Sequence, residues 1–128
     1  MIYLDTSVAL AHLLAEDRHP PASLWAQPLV ASRLLEYELW NRLNTRGLGV
    51  SHGEGARRLM ERLAILELVP AVLARALEPF PAPVRTLDAL HLASMDFVRS
   101  QGAYLELASY DERMLAAARG IDIPIAAA

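Results

Sequence analysis

Four carboxylate side chains stand where an apolar segment of the chain gives way to a turn or a helix: Asp5, Glu38, Asp88 and Asp111. Asp5 is the clearest case, because the apolar residues 2–4 are followed directly by this acid and then by two hydroxyl residues. In a parallel α/β sheet, the crevice beyond the carboxyl ends of the strands is the usual ligand site. Acids at several segment ends can therefore meet in one pocket and bind a cation there.

Each acid also has a purely structural explanation. Asp5 and Asp111 could cap helices, since Asp is favoured at helix N-termini. Asp88 lies three residues before His91, so the two share a helix face, and they could be a first-turn acid and a partly buried histidine. Thr6 and Ser7 could cap the first helix equally well, which leaves Asp5 without a structural need. Two acids that each follow an apolar strand favour a functional site.

The donor types point to a hard cation. The chain has no cysteine, and its 4 histidines are scattered without the spacing of zinc ligands. Oxygen donors alone suit Mg²⁺ or Mn²⁺. A phosphotransferase with an aspartate nucleophile would need an acid two residues after Asp5 and a later lysine. Position 7 is serine and the chain has no lysine, so that enzyme class is excluded.

Two glutamates compete for the fourth role. Glu36 and Glu38 are two residues apart on a predicted helix, roughly 200° around its axis, so only one can face a pocket. Leucines and a tryptophan flank both, and periodicity does not choose between them. The remaining acids Glu16, Asp17 and Asp96 are predicted to be solvated surface residues.

The elements that must position these acids alternate between strand and helix. Strands are predicted over residues 2–4, 29–31, 65–69, 104–108 and 121–125. Helices are predicted over residues 7–15, 33–45, 51–63, 70–77, 87–100 and 112–119, with a short one around Trp25. The predicted N-caps are Thr6 or Ser7, Ser32, Ser51 with Glu54 in a capping box, Thr86, and Ser109 or Asp111. This alternation predicts an α/β fold with a parallel sheet covered on both faces.

Composition sets the wider limits. At 128 residues the chain is expected to form one domain over residues 1–128. No apolar stretch approaches the roughly 18 residues that span a bilayer, and the opening strand leaves us expecting no signal peptide and a cytoplasmic location. The hydrophobic content of 54% predicts a partner surface on the helices around Trp25, Leu39, Trp40, Leu43 and Leu59. The net charge of −3 does not argue for nucleic acid.

Four segments carry a family resemblance. They are Tyr3-Leu-Asp-Thr-Ser, Ser32-Arg-Leu-Leu-Glu-Tyr-Glu-Leu, Leu87-Asp-Ala-Leu-His-Leu-Ala and Ser109-Tyr-Asp-Glu-Arg-Met-Leu. In this order and at domain spacing, they resemble the PIN-domain ribonucleases, specifically the VapC toxins of bacterial and archaeal toxin–antitoxin pairs. The family pattern has a serine, a leucine two residues later and an acid six residues later, which selects Glu38 over Glu36.

The resemblance implies a three-layer α/β/α fold and a site for one or two Mg²⁺ or Mn²⁺ ions. Asp5 and Asp88 would be central ligands, and Glu38 and Asp111 would bind directly or through water. Thr6, Ser7 and Ser109 match supporting polar positions, and His91 matches a common residue beside the third acid. Arg42 and Arg46, on the helix of Glu38, are candidates for contacting RNA phosphates.

The resemblance also implies a biological role. The chain would be a metal-dependent endoribonuclease with an RNA substrate, a cognate VapB-like antitoxin and a homodimeric state. The alternative is a non-catalytic PIN-like scaffold that binds RNA or a partner without cleaving it. Candidates for all four acids are present, which argues against that alternative.

Overall fold

Four short parallel strands form the centre of the structure, a computed structural model that describes residues 1–128. The strands are β1 (Ile2–Leu4), β2 (Leu29–Ser32), β3 (Ala64–Leu66) and β4 (Glu106–Ala108). The helices are α1 (Thr6–Leu13), α2 (Arg33–Thr45), α3 (Gly49–Glu61), α4 (Pro70–Ala76), α5 (Thr86–Ser100) and α6 (Glu112–Gly120), with a short 3₁₀ helix at Ala22–Ala26. The predicted α/β class with a parallel sheet is confirmed.

The strand order β3-β2-β1-β4 places the first strand of the chain inside the sheet. The chain adds β2 and β3 on one side of β1 and later returns to add β4 on the other. Leu4 lies opposite Ala108, and the Asp5 backbone N–H donates to the Ala108 carbonyl at 3.0 Å. The carboxyl ends of β1 and β4 therefore lie side by side where the strand order reverses, which is where ligands bind in such sheets.

Both faces of the sheet are covered. Ile2 and Leu4 pack with residues of α1, α2 and α3, whereas Tyr3 points to the opposite face and packs with residues of α5 and α6. Because successive side chains of a strand alternate between faces, each strand contributes to both layers of the core. All three β1 residues are fully buried, as expected of a parallel strand between two helical layers.

Helix α2, which carries Glu38, has well-formed ends. The predicted N-cap Ser32 is confirmed, since its hydroxyl accepts from the Leu34 N–H at 3.1 Å. At the other end Gly47 adopts a left-handed φ of 67°. Gly47 N–H donates to the Asn44 carbonyl and Leu48 N–H to the Leu43 carbonyl, the pair of hydrogen bonds that ends many helices at glycine.

Three predicted N-caps are wrong. Asp5, and not Thr6 or Ser7, caps α1, because its carboxylate accepts from the Ser7 N–H. Helix α3 begins at Gly49 directly after the Gly47 turn, so Ser51 lies inside it and bonds back to the Leu48 carbonyl at 3.3 Å. Helix α5 starts one residue early, with Arg85 at the N-cap position and no side-chain cap.

The final predicted strand, over residues 121–125, is also wrong. Only an isolated bridge joins Ile125 to Leu107, and the Leu107 N–H donates to the Pro124 carbonyl at 2.9 Å. Asp122 has a φ of 62°, and a proline two residues later lacks an N–H, so a continuous strand cannot form here. Strands β3 and β4 are shorter than the predicted 65–69 and 104–108.

The predicted apolar partner surface is not at the surface. Leu39, Leu43 and Leu59 are buried because α2 and α3 pack on each other and on α1. Trp25 and Trp40 are partly covered by arginine guanidinium groups, which lie 5.0 and 5.2 Å from their ring centroids. The large apolar side chains that are exposed are Met1, Tyr37, Val50, Val69, Leu73, Leu77, Leu87 and Tyr104.

Helices α4 and α5 pack together around an ion-pair network. Asp96 was predicted to be a solvated acid, but it is mostly buried and accepts from Arg75 Nε at 2.8 Å and Arg99 Nη2 at 2.9 Å. Arg75 also stacks on Phe80, with its guanidinium 4.2 Å from the ring centroid. None of the helices combines the length and the apolar character needed to cross a bilayer.

Candidate active site

All four predicted site acids line one cavity of about 970 Å³ at the carboxyl edge of the sheet. Asp5 follows β1 and Asp111 follows β4, while Glu38 and Asp88 come from the early turns of α2 and α5. The two strand ends meet at the reversal of strand order, and the two helix starts close the cavity around them. Residues separated by more than one hundred positions thereby share one solvent-filled space.

Asp5 is held by two of the predicted supporting hydroxyls. Its Oδ2 accepts from Ser7 Oγ at 2.6 Å and from Ser109 Oγ at 2.8 Å. Ser7 Oγ in turn accepts from the Tyr110 N–H at 2.9 Å, which orients its proton toward the carboxylate. Asp5 Oδ1 takes no hydrogen bond from the protein and remains available to a ligand. Asp5 is only 6% exposed, and the two hydroxyl contacts fix the orientation of its carboxylate.

Glu38 is oriented by a chain of buried hydrogen bonds. Its Oε1 accepts from Thr6 Oγ1 at 3.0 Å and lies 2.5 Å from His91 Nε2. The other ring nitrogen, Nδ1, lies 2.6 Å from the Tyr3 hydroxyl. A neutral imidazole that donates from Nε2 to Glu38 and accepts at Nδ1 from Tyr3 satisfies every contact. Both imidazole nitrogens are thus engaged, so His91 orients the glutamate and is not itself a free ligand.

The charges around this chain shift two pKa values. Burial alone would lower the pKa of the His91 imidazole, but the hydrogen bond and charge of Glu38 outweigh burial and raise that pKa. Burial and the charge of Asp5 raise the pKa of the Tyr3 phenol well above its ordinary range. Tyr3 therefore keeps its proton. Sequence reasoning did not identify Tyr3, since a tyrosine in an apolar strand carries no functional signal.

Asp88 and Asp111 share an arginine that sequence reasoning also missed. Arg85 Nε donates to Asp88 Oδ2 at 3.1 Å, and Arg85 Nη2 donates to Asp111 Oδ2 at 3.5 Å. Asp111 Oδ1 meanwhile caps α6 through the Arg113 N–H at 2.9 Å. The spacing of three residues between Arg85 and Asp88 was a usable signal. The contact to Asp111 was not, because it depends on how α5 and α6 meet.

The rim of the cavity adds basic and acidic side chains. Of the two arginines suggested as contacts for RNA phosphates, Arg42 lines the cavity and Arg46 does not. Arg18 also lines it and covers the Tyr110 ring, with the guanidinium 4.2 Å from the ring centroid. Glu16 and Asp17, predicted to be ordinary surface acids, are exposed but border the same cavity.

The donor set of the cavity fits a hard cation. Its walls offer carboxylate and hydroxyl oxygens, and the one imidazole behind them is fully hydrogen-bonded. Oxygen donors are those that Mg²⁺ and Mn²⁺ prefer. In the present arrangement no three histidine, aspartate or glutamate side chains form a group that could hold one ion. Two of the acids are instead bonded to Arg85.

Comparison with known proteins agrees with this architecture. The sequence pattern of the PIN domain family matches residues 2–120. Ribonuclease VapC47 of Mycobacterium tuberculosis is 30% identical over 94% of this chain and 92% of its own length. Ribonuclease VapC46 of the same organism is 31% identical over 98% of this chain and 96% of its own length. The chain belongs to the PIN domain family and, within it, to the VapC proteins.

Solved structures share the fold at lower sequence identity. A toxin–antitoxin complex from Klebsiella pneumoniae contains a chain that superposes with a TM-score of 0.68 at 17% identity, covering 94% of each chain. Mycobacterium tuberculosis VapC20, described as a toxin that cleaves the sarcin–ricin loop, gives a TM-score of 0.66 at 24% identity. That match covers 91% of this chain and 95% of VapC20. These likenesses establish the three-layer fold.

Proposed function

We propose that this protein is a metal-dependent endoribonuclease and the toxin of a VapBC-type toxin–antitoxin pair. The observation that carries the proposal is the convergence of Asp5, Glu38, Asp88 and Asp111 on one cavity at the reversal of strand order. Its relatives are named ribonucleases, which supports RNA as the substrate. Cleavage of cellular RNA would take place in the cytoplasm.

In this proposal the protein positions the carboxylates, and the cation supplies positive charge. Asp5 and Asp88 would hold a Mg²⁺ or Mn²⁺ ion, and Asp111 and Glu38 would bind it directly or through water. Such an ion lowers the pKa of water and offsets the negative charge of the phosphate. Hydrolysis adds a water oxygen to phosphorus and releases an RNA oxygen as an alcohol. Thr6 and His91 keep Glu38 turned toward the place where that water is oriented.

A cleavage assay tests the enzymatic claim. Purified protein should cut structured RNA in Mg²⁺ or Mn²⁺ and stop cutting in EDTA. Asp5→Asn removes the charge at nearly constant shape and should abolish turnover, because Asp5 is a proposed central ligand whose Oδ1 is not used by a hydrogen bond within the protein. Equal cleavage in chelator, or full activity of Asp5→Asn, would contradict the proposed site.

Thermal melts test the cation site without relying on activity. A ligand that binds only the folded state raises the melting temperature. Mn²⁺ should raise it for the wild type and raise it much less for Asp88→Asn. Glu61→Gln is the matched control, since Glu61 is an exposed helix acid without an ion pair. If Asp88→Asn keeps the whole Mn²⁺ effect, Asp88 is not a ligand.

The proposed partners are a cognate VapB-like antitoxin and a second copy of the chain. An antitoxin that offers an arginine to the four acids would replace the charge of the cation there. A small DNA-binding protein encoded beside this one should bind it and inhibit cleavage. Sedimentation at high micromolar concentration should show a dimer. A monomer under those conditions, together with no inhibitory neighbour protein, would contradict this part of the proposal.

The second candidate is a non-catalytic PIN-like scaffold that binds RNA or a partner. The network around Asp5 and Glu38 argues against it, because a scaffold has no need for carboxylates held by three hydroxyl groups and an imidazole. RNA binding without cleavage in any divalent cation would favour the scaffold.

A further inference from the structure

One guanidinium group bridges two of the four site acids. Arg85 donates from Nε to Asp88 and from Nη2 to Asp111, so it joins the N-terminal ends of α5 and α6 across the cavity mouth. Arg18 and Arg42 also line the cavity but make no hydrogen bond or ion pair with the four acids. The arginine contact is therefore specific to one side chain and to two carboxylates.

The bridge is easy to open. The Arg85 side chain is 62% exposed, whereas those of Asp88 and Asp111 are 17% and 32% exposed. Ion pairs with this much solvent access are weak and are screened by salt. The backbone of Arg85 is held by its N-cap position and by the proline-rich loop 79–83 before it, because proline restricts φ. Only the side chain needs to move.

We propose that Arg85 is a built-in competitor of the divalent cation. Its guanidinium offsets one of the two negative charges of Asp88 and Asp111 while no divalent cation is bound and gives up both carboxylates when one binds. The inference rests on the proposed function, in which these two acids help to hold the ion. Once released, the guanidinium stays tethered at the cavity mouth, where its planar fork suits an RNA phosphate.

Titration calorimetry with Mn²⁺ measures the competition directly. Arg85→Ala should lower the Kd for Mn²⁺ about three- to tenfold, the range expected when two exposed ion pairs no longer have to be broken. Arg42→Ala removes the same charge from the same cavity without touching the acids, and should change the Kd less than about twofold. An unchanged Kd in Arg85→Ala overturns the proposal. An equal decrease of the Kd for Mn²⁺ in both variants also overturns it, since loss of positive charge anywhere in the cavity would then be the cause.

Melting curves give a second readout with a distinctive sign. In EDTA Arg85→Ala should melt at a lower temperature than the wild type, because Asp88 and Asp111 lose the guanidinium group that both of them contact. Its rise with Mn²⁺ should exceed that of the wild type, and Arg85→Lys should fall between the two because it keeps the charge but not the fork. A smaller rise in Arg85→Ala overturns the competition.

The two proposals fail in different ways. If the wild type binds Mn²⁺ and Arg85→Ala binds it equally well, only the role of Arg85 is lost. If the wild type neither binds Mn²⁺ nor cleaves RNA, the proposed function is lost and the competition with it.

Discussion

At the scale of single residues, the site depends on how Glu38 is held. Thr6, His91 and Tyr3 connect it to α1, α5 and β1, and all three residues are buried. Glu36, two residues earlier, instead pairs with Arg33 on the surface at 3.4 Å. Helical periodicity could not separate the two glutamates because apolar residues flank both. The family pattern selected Glu38, and in the structure Glu38 is the one that contacts Thr6 of α1 and His91 of α5.

Glu38→Gln and Glu36→Gln form a matched pair of variants. Glu38→Gln should lower kcat at least about 100-fold, since a positioned carboxylate that orients the reacting water is lost. Glu36→Gln should stay within about twofold, because surface ion pairs contribute little. Steady-state cleavage of one RNA at saturating Mn²⁺ gives both values. Similar losses in the two variants would remove Glu38 from the site.

Asp96 gives a prediction about pH. Burial alone would raise the pKa of the Asp96 carboxyl, but the hydrogen bonds from Arg99 and Arg75 outweigh it and lower that pKa. A carboxyl whose pKa is lower in the folded protein stabilises the fold at pH values above its unfolded-state pKa of about 4. This stabilisation is lost as the pH falls through the folded-state pKa. Asp96→Asn should therefore cost about 1–2 kcal/mol at pH 7 and progressively less in acid.

Denaturant titrations from pH 7 to pH 3 measure this convergence. The curves of wild type and Asp96→Asn should approach each other as the pH falls. Glu61→Gln, which removes an exposed and unpaired acid, should track the wild type at every pH. If the free energies of unfolding of wild type and Asp96→Asn differ by the same amount at every pH, the ion pairs of Asp96 make no pH-dependent contribution to stability.

At the scale of elements, the sequence predicts where helices exist better than where they begin. Ser32 was predicted correctly because it is followed by a long amphipathic segment. Ser51 has the same local signature with Glu54 three residues on, yet α3 starts earlier. The Schellman turn at Gly47 ends α2 so tightly that Leu48 already serves as the next N-cap. The residues around Ser51 do not show that α2 ends so close to α3 that Leu48, and not Ser51, becomes the N-cap of α3.

The two serines test this difference. Ser32→Ala should cost about 1 kcal/mol, because it leaves the Leu34 N–H at the buried start of α2 without its acceptor. Ser51→Ala should cost nothing, or stabilise slightly, since alanine is the better residue inside a helix. Urea unfolding of both variants decides the matter. A loss of equal size in Ser51→Ala would mean that α3 depends on that hydroxyl after all.

At the scale of the whole molecule, the parallel sheet was predictable but its strand order was not. Alternating elements and apolar segments predict a covered parallel sheet. The order β3-β2-β1-β4 depends on long-range pairing that leaves no local trace. The last residues illustrate this, since Ile123 and Ala126 are buried beside β4 although 121–125 is not a strand. Residues 121–125 are therefore part of the core, although they do not form the predicted strand.

Removing residues 121–128 should therefore cost about 3 kcal/mol or more. Burial of Ile123 alone contributes about 1.5–3 kcal/mol, and the hydrogen bonds from Leu107 and Ala126 are lost as well. Removing only residues 127–128 should cost less than about 1 kcal/mol, because an alanine side chain buries little area. Melting temperatures of the two truncated proteins check this. Equal melting temperatures would mean that the tail does not support β4.

The position of β1 inside the sheet has a consequence for the order of events during synthesis. Asp5 leaves the ribosome long before Ser109, whose hydroxyl holds it and which lies 104 residues later. Domains collapse as their segments emerge, and contacts between distant segments close last. In a nascent chain without β4, one edge of β1 is unpaired and the cavity lacks Tyr110 and Asp111. The proposed nuclease therefore cannot complete its acidic cavity, or act on the RNA around the ribosome, until the segment that carries Ser109 and Asp111 has been synthesised.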